Sequence, residues 1–181
     1  ILMKERETKN YSSNTAALFG YPNYDGNSTV TIDSIDYLAS TRDLNSFWVD
    51  SLTRGGMKAK LLPATKTEVE NISATLKQND WQVTGYLQND ASEENIKQLN
   101  SPRVLHIATH GYFFEDVPKD LSNDRFMGMD RQTVVQNPLL RSGLLFTGAN
   151  KTLQGNETKG ENGLLSAYEA SLLDLRNTEL V

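Results

Sequence analysis

The sequence predicts an α/β fold built on a mainly parallel sheet. Short apolar runs of strand length alternate with segments of helical period, the order of βαβ units. The run Val104-Leu105-His106-Ile107-Ala108 is mostly apolar, as suits a strand covered on both faces by helices. Helix-start signals fall between the apolar runs, at Thr65, Ser92 and Ser166.

The elements follow in order. Ala16-Ala17-Leu18-Phe19-Gly20-Tyr21-Pro22 is an apolar run ended by Gly and Pro, a buried strand followed by a loop. Residues 24–40 are rich in Asp, Asn and Ser and read as an exposed loop, with a helical turn near Ile35–Leu38. Thr65-Lys66-Thr67-Glu68 has the spacing of a capping box, and Val69, Ile72 and Leu76 then share one helix face. Gln82–Leu87 reads as a strand. Ser92 caps a second helix that carries Ile96 and Leu99. Val104–Ala108 forms the next strand, and His110-Gly111 sits where it ends.

Residues 115–137 are polar and irregular, a loop of a length that is often functional. Gly143-Leu144-Leu145-Phe146-Thr147 is a further strand. Residues 150–162 are rich in Gly, Asn and Lys and read as a flexible loop. Ser166-Ala167-Tyr168-Glu169 is a capping box opening a helix with Ala170, Leu172 and Leu173. A strand begins near Thr178.

Composition bounds the function. The chain has 181 residues, one ordinary domain, and 38% hydrophobic residues support a packed core. No apolar run approaches the ~20 residues of a spanning helix. A net charge of -5 argues against a duplex-DNA binder, which carries a basic patch; no direct nucleic-acid contact and no membrane contact is expected. There is no cysteine, hence no disulfide, thiolate metal site or cysteine nucleophile within the chain. With only His106 and His110 as histidines, an all-histidine zinc site is also unexpected, and neither metal nor cofactor is predicted. Cytoplasmic residence fits the absence of disulfides. The chain starts at Ile1 without a signal-peptide pattern, and both ends read as cut from a longer protein.

In open α/β sheets, ligand sites lie beyond the carboxyl ends of the strands. His110 and Gly111 occupy such an end. His106 lies on the same face of an extended strand, but four residues span roughly 13 Å, too far for one tight site. It reads as a structural histidine facing the core or a helix. Thr109 reads as a local packing or hydrogen-bonding residue. Asn23 and Tyr24 follow the first strand and are in position to line the same rim, though turns often look like this. Asp116, Asp120, Asp124 and Asp130 lack the EF-hand spacing and read as a solvated loop. Gly143, Gly148 and Gly155 make no phosphate-binding motif. Asn71-Ile72-Ser73 fits a glycosylation acceptor, with nothing else pointing to secretion. Trp48 and Trp81 read as packing residues.

Val104-Leu105-His106-Ile107-Ala108-Thr109-His110-Gly111 resembles the histidine motif of CHAT domains, bacterial relatives of caspases and separases. Leu62–Glu70 is similar to the family's segment before its first long helix. Asn137-Pro138-Leu139-Leu140-Arg141-Ser142-Gly143-Leu144-Leu145-Phe146 resembles a second family segment. Gly163–Glu169 with Leu173-Asp174-Leu175 resembles a third. Asn177–Val181 resembles the lead into the strand that ends in the family's Ser-Ala-Cys nucleophile motif. The likeness runs in register from about Leu62 to Val181, with a weaker match at Ala16–Tyr24.

The resemblance implies a caspase-like αβα sandwich with a mainly parallel central sheet, incomplete in this chain. Residues 16–181 are then its N-terminal, large-subunit-like part, and residues 1–15 a linker or the end of an upstream segment. It implies a cysteine endopeptidase acting on protein substrates, with the nucleophile beyond Val181. It assigns His110 the role of catalytic histidine, and Gly111 a backbone N–H in the oxyanion hole. The implied partners are the remainder of the domain, in the same parent or as a second chain, and a helical-repeat region such as TPR units before Ile1. The second reading is a scaffold module of the same fold without catalysis. A small-molecule hydrolase ranks behind both, since no G-x-S-x-G elbow appears. A sheet edge left open beside the strand at Thr178 is expected to drive pairing or aggregation.

Overall fold

A computed structural model describes residues 13–26, 58–113, 125–126, 129–156, 158 and 160–181. Three parallel strands form the central sheet: β1 (Thr15–Pro22), β2 (Gln82–Gln88) and β3 (Val104–Ala108), in the order β2-β1-β3. The sheet is centred on β1, and successive β1 side chains alternate between its faces. Ala16 and Leu18 face helix α1 (Pro63–Gln78), where Val69, Ile72 and Leu76 complete the layer. Contact is close enough there that a Cβ on Gly20 would lie 2.7 Å from Val69 Cγ2.

Ala17 and Phe19 face the opposite side. They pack with Ala91, Leu105, Phe146, Leu165 and with Ile96 of α2 (Glu93–Lys97). Phe19 stacks on Tyr86 at 4.3 Å between ring centroids and meets Phe146 edge-on at 6.0 Å. Strand β3 is packed on both faces too, Val104 toward α1 and Leu105 and Ile107 on the other side, but only Leu105 is fully buried, so β1 is the more completely sheathed strand. The difference arises from position: β1 is flanked by two strands.

After β3 the chain enters β4 (Gly111–Phe113). The short strands β5 (Arg125–Phe126) and β6 (Met129–Asp130) pair with each other and lead into α3 (Arg131–Gln136). A 3₁₀ turn at Pro138–Leu140 precedes β7 (Ser142–Leu145), and α4 (Ala149–Leu153), β8 (Leu164–Ser166) and α5 (Ala167–Ala170) follow. Strands β4, β7 and β8 make an antiparallel sheet in the order β4-β7-β8. Its buried residues Tyr112, Leu145 and Leu164 join Tyr24, Ala59, Val134 and Ala149 in a core of their own.

Several sequence expectations hold. Ser92 caps α2 by accepting from Asn95 N–H at 3.2 Å. Ser166 and Glu169 close a capping box at α5. Trp81 packs under α1, with the Arg103 guanidinium 5.3 Å over its ring. Three expectations fail. The capping box at Thr65 does not form, because Pro63 opens α1 and Leu62 is the N-cap. Thr65 Oγ1 instead donates to Leu62 C=O at 2.7 Å and accepts from Tyr21 N–H at 2.8 Å. The loop expected at 150–162 is in its first part helix α4, with Asn150 and Thr152 buried. The irregular segment 115–137 ends in β6 and α3, and its Val134 is fully buried. The turn near Ile35–Leu38, Trp48, and Asp116, Asp120 and Asp124 lie outside the described residues.

Gly163 connects α4 to β8 at φ +78°, and a Cβ there would lie 2.5 Å from Ala149 N. The backbone conformation and the space both demand glycine. At the end of the chain, Leu180 forms a parallel bridge with Val104 and its C=O accepts from Leu105 N–H at 2.9 Å. Leu180 and Val181 are otherwise exposed. Among the described residues, no helix is long and apolar enough to cross a membrane.

Candidate functional site

The site grows from the place where β3 runs out. Parallel pairing puts the carboxyl ends of β1 and β3 side by side, so Tyr24 reaches the segment Thr109-His110. Tyr24 is buried, and its ring lies 5.4 Å from the His110 imidazole, tilted by 42°. Burial raises the pKa of the Tyr24 hydroxyl, against its hydrogen bonds with Thr109 and His110, so it keeps its proton near neutral pH.

The proton directions here are forced. The Leu145 carbonyl can only accept, so Thr109 O–H donates to it. Tyr24 O–H then donates to Thr109 Oγ1 at 2.9 Å. The Tyr24 oxygen in turn accepts from His110 N–H at 3.3 Å. His110 C=O accepts from Leu145 N–H at 2.8 Å. The backbone of His110 is thus held from the turn after β1 and from β7 at once.

Its side chain is held too. His110 Nε2 lies 2.9 Å from the Lys60 carbonyl. A carbonyl cannot donate, so Nε2 carries a proton, and in the neutral ring Nδ1 carries the lone pair. The ring is half-buried. Burial lowers its pKa below the ordinary 6.5, outweighing the Lys60 contact, which favours the protonated form. At neutral pH the imidazole is therefore a neutral base of fixed tautomer.

Gly111 follows in β4, opposite Leu144. Bonded and non-bonded pairs alternate along an antiparallel ladder. His110–Leu145 carries a ladder bond, so Gly111–Leu144 is a non-bonded pair and the Gly111 N–H points away from β7. Gly111 is exposed and is not among the residues with positive φ. A Cβ there would make only ordinary contact, 3.5 Å from Gly143 O. The value of a glycine at this place is close approach from outside rather than an unusual dihedral.

The other sequence candidates separate from this group. His106 Nε2 stands 3.1 Å from Glu68 Oε1 of α1, without the alignment of a directed hydrogen bond. It faces a helix. Asn23 is buried and ties loops together: its C=O accepts from Gly26 and Gly148 N–H, and its side chain donates to Asn89 Oδ1 at 2.9 Å. Thr109 bonds across the fold, to Leu145 and Tyr24, rather than locally.

A second polar cluster lies around α2. Glu93, Glu161 and Glu169 offer carboxylate oxygens within 4.8 Å of one another. Lys97 Nζ sits among them at 2.7, 2.7 and 2.8 Å. The ammonium fills the position a cation would take, which makes the cluster a structural knot. Burial drives Glu93 up to about 7, against the hydrogen bond from Lys97. The hydrogen bond from Lys97 lowers Glu161. Glu93 Oε2 also accepts from Asn162 and Gly163 N–H at 3.1 and 2.9 Å.

The sequence pointed to His110 and Gly111, put Tyr24 on the rim without a role, and passed over Lys60. Tyr24 stood on the right rim but carried no distinguishing signal. Lys60 acts through its backbone carbonyl, which no side-chain pattern reports.

The family model described as CHAT domain matches residues 4–181 of the chain. Neither the curated proteins nor the solved structures contain a match to it.

Proposed function

Because the chain belongs to the CHAT domain family, a caspase-like, peptidase-related family, we propose that it provides the histidine half of a cysteine endopeptidase site. The observation that carries this reading is the setting of His110: Nε2 lies against the Lys60 carbonyl, which leaves Nδ1 as the basic nitrogen of the neutral ring, and burial lowers the pKa. The substrate class is protein, and the nucleophile is a cysteine thiol supplied from outside residues 1–181.

The register of Leu180 supports a path for that thiol along the edge of β3. Leu180 is in parallel register with Val104. A chain continuing along β3 in this register comes level with His110 about six residues after Leu180. In the reaction, His110 Nδ1 takes the thiol proton as sulfur bonds to the scissile carbonyl carbon. The oxyanion forms beside the outward Gly111 N–H, which donates to it. The carbon–nitrogen bond then breaks, and Nδ1 returns its proton to the leaving amine. Water releases the acyl group by the same steps in reverse, with His110 as base again.

The pH profile tests this reading. Cleavage of denatured casein by the intact protein requires neutral His110, so kcat/KM is expected to fall as pH drops through the His110 pKa. Burial puts that pKa below the ordinary 6.5. The acid limb should therefore lie below the midpoint of an exposed histidine and disappear in a His110→Gln variant of residual activity. An acid limb above that midpoint would contradict the burial argument.

A further inference from the structure

Asn150 lies outside the site described above, yet both supports of His110 lead to it. It sits in the first turn of α4 and is only 2% exposed. Its side-chain amide grips the Ala59 backbone from both sides: Oδ1 accepts from Ala59 N–H at 2.6 Å, and Nδ2 donates to Ala59 C=O at 3.1 Å. A primary amide presents the acceptor and donor that a neighbouring strand would present. Ala59 is buried as well, so this amide stands in for water or a ladder partner. The next carbonyl along the chain, that of Lys60, receives His110 Nε2.

The same residue reaches the second support. Asn150 backbone N–H donates to Tyr24 C=O at 2.9 Å. Nδ2 also donates to Asp25 Oδ1 at 2.8 Å, and Asp25 pairs with Lys58 at 3.2 Å. The stretches 24–25 and 58–60, which carry the groups against the imidazole, are thus pinned to one buried residue, with Tyr24 held by its backbone N–H and Asp25 and Ala59 by its side-chain amide. No other residue type does this at the same length. Asp lacks the donor, Ala lacks both groups, and Gln is one methylene longer.

We propose that Asn150 is a positioning residue for His110, holding the Lys60 carbonyl at Nε2 and thereby setting the imidazole's tautomer and direction. The inference rests on the reading of His110 as catalytic only for its effect on rate; its effect on the ring is independent of that reading.

The test uses the intact protein labelled with ¹⁵N-histidine, with the His110 signals identified by their loss in His110→Gln. In the wild type, Nε2 is the protonated nitrogen of the neutral ring, and the ring titrates below the ordinary value. In Asn150→Ala, the ring should shift to a mixture of tautomers with its midpoint moved further down, because the Lys60 contact that favours the protonated form is loosened. For casein cleavage, kcat should fall about tenfold to a hundredfold with KM unchanged, since displacement of the base by about 1 Å costs this much. Asn150→Gln keeps both amide groups but sets them one methylene further out, so it should show the same ring shift at smaller amplitude. It serves where the alanine variant does not fold. A folded Asn150→Ala or Asn150→Gln protein whose His110 keeps the wild-type tautomer and midpoint overturns the inference. A shifted ring in a protein whose cleavage survives His110→Ala upholds it and removes only the catalytic reading.

Discussion

Replacing His110 by alanine is expected to lower kcat/KM for peptide-bond cleavage by the intact protein about 10²–10⁴-fold, the range of general acid–base catalysis by a positioned group. Both halves of the reaction use the same nitrogen, first to take the thiol proton and then to protonate the leaving amine. The fold should survive. The ring is half-buried and Nε2 bonds a backbone carbonyl, so the loss of stability is about 1–2 kcal/mol. The backbone bonds of His110 to Tyr24 and Leu145 remain in the variant. Steady-state cleavage with circular dichroism on the same samples checks both statements. Cleavage at the wild-type rate by a folded His110→Ala protein would move the chain to the class of caspase-like scaffolds.

The largest loss of stability is expected from Lys97→Met. Lys97 is the cation of a knot in which Glu93 is 1% exposed, and its ammonium also reaches Glu161 and Glu169. Methionine fills the space and removes the charge. The buried carboxylate of Glu93 is then left with two backbone N–H donors and two acidic neighbours. Breaking one side of a buried ion pair costs about 3–5 kcal/mol, which for a domain of this size lowers Tm by on the order of 10 °C. The sign of its pH dependence follows. Glu93 is already pushed up to about 7 with Lys97 present, and loss of the ammonium pushes it further. A carboxyl raised on folding favours the protonated state, so the variant gains stability relative to the wild type as pH falls through that range. Thermal melts of the two proteins should therefore differ most near pH 8 and converge toward pH 5. A pH-independent gap would mean that Glu93 is not the group left exposed to the change.

The central sheet was legible because its signals are local. The apolar run of Ala16–Pro22, the helix face of Val69, Ile72 and Leu76, and the Ser92 cap each lie within a few residues. The strand-end position of His110 and Gly111 came from the same reading. What escaped depends on tertiary contact. Pro63 pre-empted the capping box at Thr65, because its fixed φ opens a helix without a side-chain cap. Asn150 and Thr152 looked like loop residues because polar side chains were assumed to face water, whereas both are buried in α4 with partners distant in sequence. The partners of His110 were invisible for the same reason. Lys60 offers a carbonyl, which every residue has, and Tyr24 becomes a support only once β1 and β3 lie side by side.

The central claim is that His110 activates a thiol brought to it along the edge of β3. Limited alkylation with iodoacetamide, mapped by mass spectrometry on the intact protein and on His110→Ala, tests it most directly. One cysteine is expected to react faster than a free thiol near neutral pH, located in the strand that continues from Leu180, and this advantage is expected to vanish in His110→Ala. No fast-reacting cysteine, or one whose rate is the same in both proteins, would contradict it.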